Sequence, residues 1–153
     1  MTFRMDISQL GQLSQQLKQY GEEVREKVAF EGVAAMAKVV YLDAQIRAPI
    51  SEAAHFFYGR DSKRTGVRYL FAPGNLQRAI YRAYSPEQSG PTRKLYRISW
   101  NHRKAPYGHM VEFGTSRAPA HPFLRPSMAT IPEAIDAGKA RMAQALREVR
   151  MAA

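Results

Sequence analysis

The chain of 153 residues contains no cysteine. That excludes disulfide frameworks, thiolate nucleophiles and cysteine-based zinc or iron–sulfur sites. Acidic residues are scarce: 13 Asp and Glu stand against 23 Lys and Arg, a formal net charge of +10. No pair of carboxylates is spaced for a glycosidase or two-metal nuclease site. Long apolar runs are missing too. The longest mostly apolar stretch, Val33 to Leu42, is broken by Lys38 and is too short to span a bilayer. Met1 to Asp6 lacks the apolar segment of a secretory signal, so folding in the cytoplasm is expected. Glycine-rich phosphate loops and the nucleophile-elbow pattern do not occur. The four histidines, His55, His102, His109 and His121, form no metal-ligand spacing. These gaps argue for a protein that is not an enzyme and needs no cofactor.

What is present suits one folded, basic domain over residues 1–153. A hydrophobic fraction of 45% is too high for a disordered chain. The positive excess points to a polyanionic neighbour: DNA, RNA, an acidic protein surface or a membrane face. No membrane partner is expected of a chain without a spanning segment.

Phe3, Met5 and Ile7 alternate with polar residues, as in a short strand. Asp6 and Gln9 then have capping-box spacing. Leu10, Leu13, Leu17, Tyr20 and Val24 come next at helical spacing, with Gly21 a point for a break or bend. From Glu22 a longer helix is predicted, ending near Ala48 because Pro49 disfavours helix before it. Val28, Ala35, Val39, Leu42 and Ile46 form one apolar stripe, and Ala29, Val33, Met36 and Val40 form a second. Leu76–Tyr84 and Lys94–Trp100 read as two strands of a β-hairpin whose long tip runs through Ser85 to Thr92. Tyr107–Phe113 reads as a strand or a single helical turn. Thr130 and Glu133 have capping-box spacing ahead of a last helix carrying Ile131, Ile135, Met142, Leu146 and Val149. The expected fold class is α+β: long N-terminal and C-terminal helices packed on a small antiparallel sheet containing the hairpin.

Residues 50–72 show no clear period and read as an inserted loop or arm. Phe56, Phe57 and Tyr58 stand close to Arg60, Arg64 and Arg68. Arginines among aromatics can track a nucleic-acid backbone and stack on bases. They can equally anchor a neighbouring subunit, and an arm with no other way to bury its aromatics favours that reading. His109 and Glu112, three residues apart, would share a helix face. As a metal or acid–base pair this is a weak signal, and a packed turn with a polar edge is the plainer reading.

Two segments carry a family resemblance. Tyr107–Thr115 reads Y-G-H-M-V-E-F-G-T, and Pro122–Ser127 reads P-F-L-R-P-S. Together they resemble the signature of the HK97-like phage tail-component family (gene-product-ten-like). Gly74-x-Leu76-x-x-x-Ile80 is similar to that family's lead-in to a strand. The resemblance covers nearly the whole chain except residues 50–72. It implies a virion protein of the tail or head–tail junction: a tail completion, neck or minor tail component. Such a protein forms a homo-oligomeric ring, meets other tail, neck or connector proteins, and is made in the host cytoplasm. The residues then assigned to assembly are Tyr107, Val111, Glu112, Phe113, Gly114, Thr115, Phe123, Leu124, Arg125 and Pro126. A ring around DNA gives the charge a use, with Arg93, Lys94, Arg103 and Lys104 as candidate lining for non-specific contact with packaged DNA.

The residues can be read without the resemblance. Gly114 allows a tight turn, and Pro119, Pro122 and Pro126 stiffen the segment beyond it. Glu112 lies among apolar residues and needs a partner if buried, with Arg125 or Arg117 expected to supply it. The boxes can serve the monomer core as well as a neighbour. Two other function classes remain open: a basic nucleic-acid-binding regulator and a toxin-type ribonuclease.

Overall fold

The computed structural model describes residues 8–90 and 93–152, with side chains over 18–90 and 93–151. The expected strand at Phe3–Ile7 and the Asp6 cap lie outside the described residues. Ser8–Arg47 is a single helix of 40 residues, α1. Gly21 does not interrupt it. Ala48 is buried just beyond the helix end, and its amide still bonds the Ala44 carbonyl at 3.0 Å.

α1 packs along α6, Ile131–Ala152, and the contact depends on small residues. Gly32 lies under the side chain of Met142, and Gly138 lies under that of Met36. This order of contacts makes the helices antiparallel. The backbones are so close that a Cβ on Gly138 would stand 3.2 Å from the Gly32 carbonyl oxygen. Above this seam Arg141 bridges Glu31 of α1 and Glu148 of its own helix. One expectation for α1 is corrected: its first stripe is not wholly buried. Leu42 is 45% and Ile46 79% exposed, because this part of α1 buries Ala37 and Ala44 instead.

α6 is the end of a longer helical run. Leu124–Ser127 forms α5, and Met128–Thr130 is a 3-10 turn joining it to α6. The predicted Thr130 cap is therefore not made. The Thr130 hydroxyl donates to the Ser127 carbonyl at 2.7 Å, since the helical backbone has already begun.

There are two small sheets, not one. His55–Tyr58 (β1) and Arg68–Phe71 (β2) form an antiparallel ribbon, with His55 opposite Phe71 and Tyr58 opposite Arg68. A one-turn helix, Ser62–Thr65 (α2), closes its tip. The predicted loop at 50–72 is thus corrected to a folded hairpin. Ile80–Tyr84 (β3) pairs antiparallel with Tyr96–Trp100 (β4), as a long-tipped hairpin. β3 starts later than predicted, because Asn75–Ala79 forms α3. Leu76 and Ala79 stand one helical turn apart, and both are buried.

The core gathers Ala44, Ala48, Leu76, Ile80, Trp100, Ala105 and Phe123. Trp100 and Phe123 meet edge to face, ring centroids 5.8 Å apart. Around the far end of the hairpin, Phe30 of α1 contacts Tyr84 at 5.0 Å and Tyr96 at 5.9 Å.

The glycine seam gives a test. Gly138→Leu should destabilise the protein by about 1–3 kcal/mol in denaturant unfolding, because the added carbons have no room. Gly21→Ala, where nothing lies within 4 Å of the new carbon, should instead stabilise by up to about 1 kcal/mol.

Candidate functional site

The two sequence boxes meet around one carboxylate. Gly108–Phe113 forms α4. The turn ahead of it is held by Asn101, whose side-chain oxygen accepts from the amides of Arg103 at 2.9 Å and Lys104 at 3.2 Å. Gly108 fits flat against the Trp100 indole, where a Cβ would come within 2.4 Å of Nε1. Gly114 stops the helix at φ 76°, and its amide bonds the Met110 carbonyl at 2.8 Å. Thr115 then turns the chain: its hydroxyl accepts from Arg117 N at 3.2 Å and Ala118 N at 3.0 Å. The amide of His121 returns to the Val111 carbonyl at 2.8 Å.

This loop delivers the second box onto Glu112. Oε2 accepts the amides of Phe123 at 2.7 Å and Leu124 at 3.0 Å. Oε1 accepts the amide of Arg125 at 3.0 Å and its Nε at 3.1 Å. Arg125 Nη2 also donates to the Glu112 carbonyl at 2.8 Å. Glu112 is 1% exposed. It caps the C-terminal helical run, supplying a negative charge where the first amides of a helix lack partners. Burial pushes its pKa up. The amides of Leu124, Phe123 and Arg125 and then the Arg125 side chain push it down further, and the net shift is downward.

The sequence assignments now separate. Phe123 and Glu112 are interior residues, so neither offers a surface to a neighbour. Tyr107, Val111 and Leu124 are half-buried against the core. Phe113 is exposed, with the Arg125 guanidinium 4.7 Å from its ring centroid and the His109 ring centroid also 4.7 Å away. Thr115 and Arg125 are exposed as well, and Gly114 and Pro126 are half-buried. The partner of Glu112 is Arg125 of the same chain, not Arg117. The His109–Glu112 pair does not form, because the carboxylate is taken by backbone amides. Among the described residues no cluster of His, Asp and Glu is arranged to hold a metal.

Tyr107 has a role the sequence did not reveal. Its ring is the floor of the β1–β2 ribbon, with centroids 5.3 Å from His55, 6.0 Å from Phe57 and 5.1 Å from Phe71. Its hydroxyl accepts from Asn75 Nδ2 at 3.1 Å, and the same nitrogen donates to the Lys104 carbonyl at 2.7 Å. One face of the ribbon is thus covered from within the chain, which corrects the view that the arm must go elsewhere to bury its aromatics. The other face presents Phe56, Tyr58, Leu70 and Arg68 to solvent, the Arg68 guanidinium lying 4.5 Å from the Phe56 ring centroid. Arg60 and Arg64 stand exposed at its tip.

Of the candidate channel residues, Lys94 is removed. Its side chain is 10% exposed and its Nζ lies 3.6 Å from Glu26 of α1. Arg93, Arg103 and Lys104 are exposed. No helix of the described residues is long and apolar enough to cross a membrane. Set beside known protein families, curated proteins and solved structures, the chain matches none.

The cap predicts both a cost and a pH dependence. Glu112→Gln should lower stability at neutral pH by about 2–4 kcal/mol, since an amide cannot accept at both ends and leaves buried donors unpaired. The folded pKa lies below the unfolded one, so the unfolded chain takes up its proton first. The stabilisation is complete above the unfolded glutamate value, about 4.3, and is lost as pH falls through the lower folded value. Denaturant unfolding of wild type and Glu112→Gln across this acid range should show the gap between them closing as pH falls. A gap that stays constant would remove Glu112 from the acid response.

Proposed function

We propose that this protein is a non-enzymatic structural component of a phage or prophage particle, one that assembles with copies of itself into a ring at the tail or head–tail junction. The observation that carries the reading is the union of the two family-like boxes through Glu112. They form one braced unit whose outer side keeps Phe113, Met110 and Arg125 in water. Exposed aromatic and sulfur-containing side chains beside an arginine are the residue types that anchor interfaces. Leu42 and Ile46 on α1 add further exposed apolar surface. A ring needs a heterologous contact, where one surface meets a different surface on the next copy. The basic excess fits a lumen through which DNA passes without sequence readout, with Arg93, Arg103 and Lys104 free to face it. Tail completion, neck and minor tail roles are all compatible with these features.

A second reading, a nucleic-acid-binding protein, is favoured by the exposed arginines and aromatics of the ribbon. Sedimentation velocity and negative-stain electron microscopy on the purified chain, alone and mixed with particles lacking it, separate the two. The assembly reading expects closed rings of uniform size, or binding to such particles that restores head–tail joining. A monomer that binds DNA with a steep salt slope, and neither self-associates nor restores the particles, would overturn it.

A further inference from the structure

We infer that the outer face of the β1–β2 ribbon binds single-stranded nucleic acid, stacking unpaired bases on its aromatic rings and meeting the phosphates with its basic tip. The site rests on the nucleic-acid reading above, and it works whether or not the chain closes into a ring.

The register makes the platform. Phe56 stands opposite Leu70 and Tyr58 opposite Arg68, so these four side chains share one face of the ribbon. Phe56 is 46%, Tyr58 61% and Leu70 60% exposed, while the other face is seated on Tyr107. The Arg68 guanidinium lies over the Phe56 ring and adds a flat, charged surface on which a base can stack. Two residues of strand separate Phe56 from Tyr58, about 6.7 Å. That is roughly twice the 3.4 Å between phosphates along one strand of a duplex, so the rings match bases drawn out of their helix. A duplex cannot use the ring faces, because it shows only base edges in its grooves.

Charge selects the same partner. Over residues 49–78 five bases, Arg60, Lys63, Arg64, Arg68 and Arg78, stand against two acids, Glu52 and Asp61. All seven are exposed, and none takes part in an ion pair among the described residues. Lys104, also exposed, stands beside the ribbon's floor, since its carbonyl and the Tyr107 hydroxyl share the Asn75 side-chain nitrogen. Glu112 of α4 is interior and already paired with Arg125. The surface is therefore positive with its neighbours counted, as a polyanion requires. Between Gly59 and Gly66 the tip carries charged and hydroxyl side chains and no apolar one. Charges are costly inside a bilayer, so this tip does not suit entry into a lipid surface.

Fluorescence anisotropy on the full chain tests the site, with a labelled oligothymidylate of about 16 nucleotides and a duplex of the same length as probes. Stacking on two rings is worth roughly tenfold or more, so wild type should prefer the single strand to the duplex by at least that factor. Phe56→Ala with Tyr58→Ala should erase the preference and leave duplex affinity unchanged. Lys63→Glu with Arg64→Glu should weaken binding of both probes. For the single strand it should also flatten the slope of log affinity against log salt by roughly 1.4, two phosphate contacts at about 0.7 each. All four side chains are exposed, so folding should survive, which circular dichroism checks. A strand carrying bromodeoxyuridine should crosslink under ultraviolet light to the segment holding Phe56 and Tyr58. Wild type that binds neither probe at low salt would overturn the site and the nucleic-acid reading together. Binding that Arg93→Glu with Arg103→Glu abolishes, and that both ribbon variants leave unchanged, would overturn the site and spare that reading. Equal affinity for the two probes, insensitive to loss of the rings, would overturn the single-strand assignment. Ribbon variants that change self-association, or binding to vesicles of anionic phospholipid, with oligonucleotide affinity unchanged would overturn the site in favour of a protein or lipid contact.

Discussion

A carboxylate taken out of water must be repaid by donors, and in this protein the donors are the start of the C-terminal helix. Glu112 receives the amides of Phe123, Leu124 and Arg125 together with the Arg125 side chain. Those bonds fix where the helical run begins and how it leaves α4. Its course from there sets α6 against α1 at the distance that Gly32 and Gly138 permit. The same junction drives Phe123 into the core against Trp100. The position of both long helices relative to the hairpin thus depends on one satisfied charge.

Much of this architecture is legible in the sequence, for reasons that differ by element. The long helices announce themselves through apolar periodicity sustained over many turns, and the β3–β4 hairpin through its turn residues. The union of the helix across Gly21 is less legible, because one glycine costs only about 1 kcal/mol and forty residues of neighbours outweigh it. The ribbon escapes a sequence reading because its strands have four residues each. Its alternation of His55, Phe57, Tyr69 and Phe71 on one face becomes a signal only when the two strands are paired. α3 reads as strand because Leu76 and Ile80 also fit a strand's apolar content. That Glu112 needs a partner can be read from its apolar neighbours. That three backbone amides are among its partners cannot, because sequence patterns name side chains. Lys94 misleads for a related reason: its partner Glu26 lies on a distant element.

The site residues fall into two groups with different consequences for the proposed role. Phe123, Glu112 and Leu124 give the unit its rigidity, while Phe113, Arg125 and the outer ribbon residues face outward. Preorganisation of this kind lowers the entropy lost on docking, so a modest surface can still hold a neighbour. The family resemblance rests on both groups at once. The segments that carry it include Phe123 and Glu112, which are interior and serve the fold of the single chain.

The junction at Glu112 also has a mechanical meaning. A pull on the C-terminal helix reaches the rest of the chain along its seam with α1 and, at its start, through bonds made by three consecutive residues to one side chain. Bonds arranged side by side share a load and must rupture together. Under tension along the chain the three bonds at the carboxylate should give way as one, so the start of the helix is a stiff joint.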